Sequence, residues 1–212
     1  MRIHAFPPSP RAFKTLVVAH YLDLDHELRI VDLLKGEQRL PAFAALNPNC
    51  KMPVLEDSAG PLWESNAIIM RLAEQKQESG LLGRDERTRA QVLQWMFWET
   101  STWDPAVATL VFEHLVKGFF GGGAADPEVV AKGLEKFHFG AGVLEGQLKQ
   151  TRFVCGDALT LADFAIGSVF TVAEAAQLPL AEYPNITRYR AELEALPAWS
   201  AVRALQAPAQ AA

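Results

Sequence analysis

A proline that opens a strand limits this chain more than any other feature. Asn47-Pro48-Asn49-Cys50-Lys51-Met52-Pro53-Val54-Leu55-Glu56 reads as a loop entering a short strand at Pro53, since proline cannot donate to a ladder and is tolerated at a strand's first residue. Asp57-Ser58-Ala59-Gly60 is then a tight turn, Leu62-Trp63 belongs to a second strand, and a helix starts near Ser65. In front of this ββα unit, Ile3 to Phe6 is a short apolar run closed by Pro7-Pro8-Ser9-Pro10. Phe13, Leu16, Val17, Ala19 and His20 then recur at helical spacing. His26 to Val31 alternates as a strand with Leu28 and Ile30 on one face, and Arg39 to Leu46 fits one or two helical turns.

The order βαβαββα is that of a thioredoxin-like α/β domain. The polar stretch Gln75 to Arg87, with Gly80 and Gly83, separates it from the rest, so residues 1–78 and 86–206 are expected to form two domains. Only helical patterns follow. Thr88 to Lys117 is one long segment carrying Val92, Trp95, Met96, Leu110, Val111 and Leu115, with a kink or break expected at Asp104-Pro105. Gly121-Gly122-Gly123 ends it. Asp126-Pro127-Glu128 is a helix start for a helix reaching about Gln150, and Thr160-Leu161-Ala162-Asp163 is a capping pattern ahead of Phe164-Ala165-Ile166. Asn185 to Leu196 and the stretch after Pro197 supply two short helices, and Ala207 to Ala212 is expected to fray.

Pro53 is either a plain edge-strand proline or, as expected here, the second residue of a cis bond; in the latter case Met52, with its N–H and C=O turned outward, suits pairing with an extended, peptide-like ligand. A helix start at Ser65 favours a ligand carboxylate, and Glu64 beside it a ligand ammonium; a γ-glutamyl group carries both. Met52-Pro53-Val54-Leu55 followed by Trp63-Glu64-Ser65-Asn66-Ala67-Ile68 resembles the glutathione-binding half of the cytosolic glutathione transferases. Gly156-Asp157 with Leu159-Thr160-Leu161-Ala162-Asp163-Phe164 resembles the buried capping motif of that family's helical domain. Three clusters in the family's order span nearly the whole chain. The resemblance implies a thioredoxin-like N-terminal domain, an all-α C-terminal domain, conjugation of the glutathione thiolate to hydrophobic electrophiles in detoxification, and a C2 homodimer. The helix Asn66 to Gln77 and the long helix are candidates for the dimer seam.

It also implies roles for particular residues. A free thiol near pKa 8.5 is mostly protonated at neutral pH, so a donor to the sulfur is needed. Ser9 occupies the catalytic position of the serine-type members, which include bacterial ones. Phe6 stands where tyrosine-type members carry tyrosine, no cysteine lies near Ser9, and Ala12 replaces a second hydroxyl common in relatives. Disulfide exchange is accordingly disfavoured. Ser9 before Pro10 is equally an ordinary helix N-cap, and both roles can coexist. Met52 and Pro53 would fix the peptide backbone, and Glu64 and Ser65 the γ-glutamyl end. Gln38, Arg39 and Lys51 would hold the glycyl carboxylate, with Arg39 favoured for bidentate geometry. Cys50 is a small loop residue, with a mixed disulfide to glutathione as its alternative role. Of Trp95, Phe97, Trp98, Trp103, Phe112, Phe119 and Phe120, some belong to the core and others line an apolar cleft between the domains; Trp103 and Phe112 are the candidates for the electrophile's pocket.

Composition narrows the alternatives. A net charge of −5 with no clustered Lys and Arg argues against nucleic acid, and no run is long and charge-free enough for a membrane or a signal peptide, which suggests a cytoplasmic protein. Two cysteines and no Cys/His cluster suggest reduced thiols and no metal. Glutathione is expected as co-substrate, with no resident cofactor. Rival readings are another glutathione-dependent enzyme, such as a dehalogenase, peroxidase or isomerase, and a non-catalytic scaffold of the same fold.

Overall fold

The computed structural model describes residues 1–119 and 121–206, so Phe120 and the tail 207–212 lie outside the described residues. Among the described residues the first compact unit comprises Met1–Leu82 together with residues 195–206, and the second is Gly83–Glu194.

In the first unit β1 (Arg2–Ala5), α1 (Pro10–Tyr21), β2 (Glu27–Ile30), α2 (Pro41–Leu46), β3 (Val54–Asp57), β4 (Gly60–Trp63) and α3 (Ser65–Glu74) follow in that order, with a single 3-10 turn at Glu37–Arg39 before α2. The sheet order is β2-β1-β3-β4, with β2 parallel to β1 and the other pairs antiparallel. Alternation along the strands divides the core in two. His4 and Val54 face each other across the β1–β3 pair, and Val54 packs with Val31 of the β2–α2 connection and Phe43 of α2. Ile3, Ala5 and Leu55, all fully buried, turn toward the layer of α1 and α3. That layer is apolar because α1 is buried continuously from Ala12 to Ala19 and α3 contributes Ile68, Ile69, Leu72 and Ala73.

The last helix, α10 (Pro197–Ala204), also belongs to this unit: Trp199 meets Phe13 edge-on at 4.7 Å between ring centres. The division therefore differs at its C-terminal end from one into 1–78 and 86–206. A helix after Pro197 is legible locally, but which unit it covers depends on where Phe13 and Trp199 find each other.

The second unit is helical. α4 (Glu86–Trp98), α5 (Asp104–Val111) and α6 (Lys117–Phe119) form one nearly continuous arm, joined by π-helical turns at Glu99–Trp103 and Phe112–Val116. Pro105 explains the first widening: it has no N–H for the carbonyl of Ser101, and its ring would clash there in an unbroken α-helix. α7 (Pro127–Leu148), α8 (Leu161–Gly167) and α9 (Pro184–Glu194) complete the unit. Asp126 caps α7, its Oδ1 accepting from the N–H groups of Glu128 and Val129. Glu145 of α7 caps α9 from outside that helix, accepting from the backbone of Asn185 and Ile186 and from the Asn185 amide.

Asp163 is the polar centre of this core. Wholly buried at the start of α8, it accepts from Thr160 N–H at 2.7 Å and Thr160 Oγ1 at 3.0 Å through one oxygen. The other accepts from Val154 N–H at 3.0 Å and the Tyr189 hydroxyl at 3.1 Å. Burial nevertheless pushes its pKa up to about 6 against those bonds, and lifts the Tyr189 hydroxyl well above its ordinary range.

Trp103 is part of the same core, which corrects its assignment to a ligand pocket. It is fully enclosed, its indole N–H donates to Ile166 O at 3.1 Å, and it stacks near Trp98 and Phe137. Gly140 permits that fit: a Cβ there would stand 3.2 Å from the ring. Phe112, in the second π-helical turn, is half exposed.

Candidate active site

Sheet register brings the candidate residues of the first unit to one end of the sheet. His4 opposes Val54, and Val54 opposes Trp63. Continuing β1 forward and β3 backward by two residues puts Phe6 at the level of Met52, while β4 leaves the sheet directly into Glu64 and Ser65. Three segments far apart in sequence thus meet: the loop to Ser9, the turn at Met52-Pro53, and the entry to α3.

Ser9 stands at the N-cap position of α1, but its hydroxyl makes no capping bond. Its backbone carries the local structure instead, the N–H donating to Phe6 O at 2.9 Å and the carbonyl accepting from Phe13 N–H at 2.8 Å. Pro10 presets the first helical φ, which is why the helix starts here without a side-chain cap. The hydroxyl remains available to an incoming group beside the partial positive charge of the helix N-terminus.

The Met52–Pro53 peptide is cis, as expected. Met52 precedes the ladder, which starts at Val54, and its N–H and C=O have no backbone partner among the described residues. The loop before it is held by Asn47, only 3% exposed, which the sequence alone gives no more than a place in the loop. Asn47 Nδ2 donates to Lys51 O at 2.6 Å, and its Oδ1 accepts from Asn49 N–H and Asn49 Nδ2, each at 3.0 Å. An Asn two residues ahead of another Asn and six ahead of a proline was the available signal, since Asn side chains commonly replace backbone partners in turns.

Glu64 has φ 71° and ψ 112°, a conformation that costs a non-glycine residue on the order of 1–3 kcal/mol, and such strain clusters at binding sites. Its carboxylate is exposed, while Ser65 immediately behind it is buried at the first position of α3. Arg39 and Lys51 are exposed and make no ion pair among the described residues. Gln38 is partly buried, and its Oε1 is enclosed without a hydrogen-bond partner. The end of the sheet therefore offers two helix N-termini, an unused backbone edge, one carboxylate and, directly before Met52 in the chain, the exposed cation Lys51. That set is complementary to an extended zwitterionic peptide with an anionic group at each helix end.

Neither cysteine is in a disulfide. Cys50 is half-buried with φ 53°, in the loop that Asn47 holds. Burial pushes the Cys155 thiol up to about 12, which keeps it protonated and inert. No helix among the described residues is long and apolar enough to cross a membrane.

Comparison with known proteins identifies the family. The family models for the glutathione S-transferase N-terminal domain and C-terminal domain match residues 8–75 and 105–197. A glutathione S-transferase of Hyoscyamus muticus is 30% identical over 94% of this chain and 96% of its own length. Glutathione S-transferase F10 of Arabidopsis thaliana is 36% identical over 76% and 74%. The crystal structure of a Pseudomonas fluorescens glutathione S-transferase superposes with a TM-score of 0.83 at 32% identity, covering 93% of this chain and 96% of that one.

Proposed function

The chain belongs to the glutathione S-transferase family, and from that premise we propose that its chemistry is of the serine type, with Ser9 as the residue that stabilises the glutathione thiolate. It is a glutathione transferase. In the proposed site the Ser9 hydroxyl donates to the sulfur, Met52 pairs through its backbone with the peptide, and Pro53 fixes that edge. Ser65 and the N-terminus of α3 receive the γ-glutamyl carboxylate, and Glu64 its ammonium. Gln38, Arg39 and Lys51 hold the glycyl end.

The observation that carries this reading is the hydroxyl of Ser9, at a helix start and yet not used as its cap. A two-unit fall in thiol pKa needs about 2.7 kcal/mol of differential stabilisation. A hydrogen bond to a charged acceptor supplies about 1.5–3 kcal/mol and a helix N-terminus about 0.3–1 kcal/mol, a combined range of about 1.8–4 kcal/mol that brackets the requirement. Glutathione enters as co-substrate and leaves as the thioether formed with a hydrophobic electrophile, the proton of its thiol passing to solvent. Phe112 is the remaining aromatic candidate for the electrophile's pocket. A cytoplasmic enzyme acting as a C2 homodimer completes the proposal.

The direct test is ultraviolet titration of the thiol of bound glutathione. A pKa about two units below that of free glutathione is expected, and an unshifted value would leave a binding scaffold as the better description. Glu64→Ala tests the other end of the ligand. Retention on immobilised glutathione should fall about tenfold or more with the melting temperature nearly unchanged, because the positive φ at this exposed position is no easier for alanine and the carboxylate makes no structural bond. Undiminished retention would remove Glu64 from the γ-glutamyl contact.

A further inference from the structure

Lys14 is only 1% exposed, in a helix buried continuously from Ala12 to Ala19, where a methionine would fill the same volume with no charge to accommodate. An ammonium in such a place is costly unless hydrogen-bonded, and its Nζ donates to Asn66 Oδ1 at 2.9 Å. Both ends of that bond are telling. Asn66 is the second residue of α3, directly after Ser65, and Lys14 lies five residues after Ser9 in α1. Side chains lean toward the N-terminus of their helix, so the lysine stem carries its ammonium back toward the turn that begins at Ser9. This hydrogen bond ties the opening turn of α3 to α1 close to its start.

We propose that Lys14 is a positioning residue: through Asn66 it sets the spacing between the N-termini of α1 and α3, and so determines how well one glutathione spans Ser9 and Ser65. The inference rests on the reading above, in which the thiol lies at Ser9 and the γ-glutamyl carboxylate at Ser65. A ligand bound at both helix ends reacts well only when their separation matches its own, and misplacement by about 1 Å can cost about 100-fold in rate. A thiol lacking the γ-glutamyl group touches only one helix end and is insensitive to the spacing.

The test compares kcat/KM for glutathione with kcat/KM for cysteinylglycine, using one electrophile, in wild type, Lys14→Met, Asn66→Ala and the double variant. The expected result is a glutathione preference that falls about tenfold in each single variant, mainly through kcat with glutathione, and little further in the double, because both substitutions break the same bond. Melting temperatures are followed in parallel, and Asn66→Ala, at a partly exposed position, keeps the question open to refutation should Lys14→Met fold poorly. A wild-type preference that survives intact in the single variants, or effects that multiply in the double, would overturn the role of Lys14 alone. A wild type that uses both thiols equally would overturn the γ-glutamyl assignment beneath it.

Discussion

Ser9→Ala is expected to raise the pKa of enzyme-bound glutathione by one to two units and to lower kcat/KM about 10- to 100-fold near pH 7. The sign follows from what is removed. The hydroxyl donates to the sulfur only usefully when the sulfur is anionic, so its loss destabilises the thiolate and leaves the thiol untouched. The defect should therefore be largest below the wild-type thiol pKa and shrink as pH rises toward that of the free thiol, near 8.5. A pH profile of kcat/KM and a thiol titration read this directly. Stability provides the contrast. Because Ser9 Oγ makes no capping bond, the substitution should leave the melting temperature nearly unchanged, whereas losing a true N-cap costs about 1 kcal/mol. A variant that melts early while keeping the wild-type pH profile would make Ser9 a cap and nothing more.

Asp163→Ala should be the most destabilising single substitution considered, at about 4 kcal/mol. It strands the buried N–H groups of Val154 and Thr160 and the hydroxyls of Thr160 and Tyr189, of which Tyr189 keeps a second acceptor among the described residues, Asp163 O. Buried donors without partners cost about 1–3 kcal/mol each, partly relieved by relaxation. For a chain of this size the melting temperature should fall by roughly 8–16 °C. The pH dependence has a definite direction. Burial raises the folded pKa of Asp163 to about 6 from 3.8, so between those values the folded protein holds a proton that the unfolded chain releases. The carboxyl's contribution is thus full below about pH 4 and declines as pH rises through about 6. Urea unfolding at several pH values should show the gap between wild type and Asp163→Ala narrowing across that window. A gap that widens would mean that the four donors outweigh burial and hold the carboxyl ionised throughout.

Much of the fold was legible because its signals are local. Pro53 opening a strand, Gly60 in the turn after it, Asp126-Pro127 starting α7 and Thr160 with Asp163 starting α8 each fix backbone within a few residues of themselves, and the chain follows them. The break expected at Pro105 is a π-helical turn, since a missing N–H says where an α-helix must yield and not how. Local chemistry also singled out Ser9, Met52 and Glu64-Ser65, each a residue type at a particular kind of chain turn.

What local signals left open were questions of who meets whom. Trp103 and Phe112 read alike in sequence, as aromatics on one helical arm, yet the first is sealed by Ile166, Phe137 and Gly140 while the second is half in water. Asn47 read as turn composition, although it is the buried clamp of the loop before Pro53. Lys14 sits within an apolar run, and its purpose appears only once Asn66, 52 residues later, lies beside it. Periodicity and turn chemistry therefore determined the elements and the chemical inventory of this protein, since those depend on neighbours within a turn or two of chain. Only tertiary structure decided burial, long-range pairing and the spacing of the two helix ends, because each is a relation between segments that no short stretch contains.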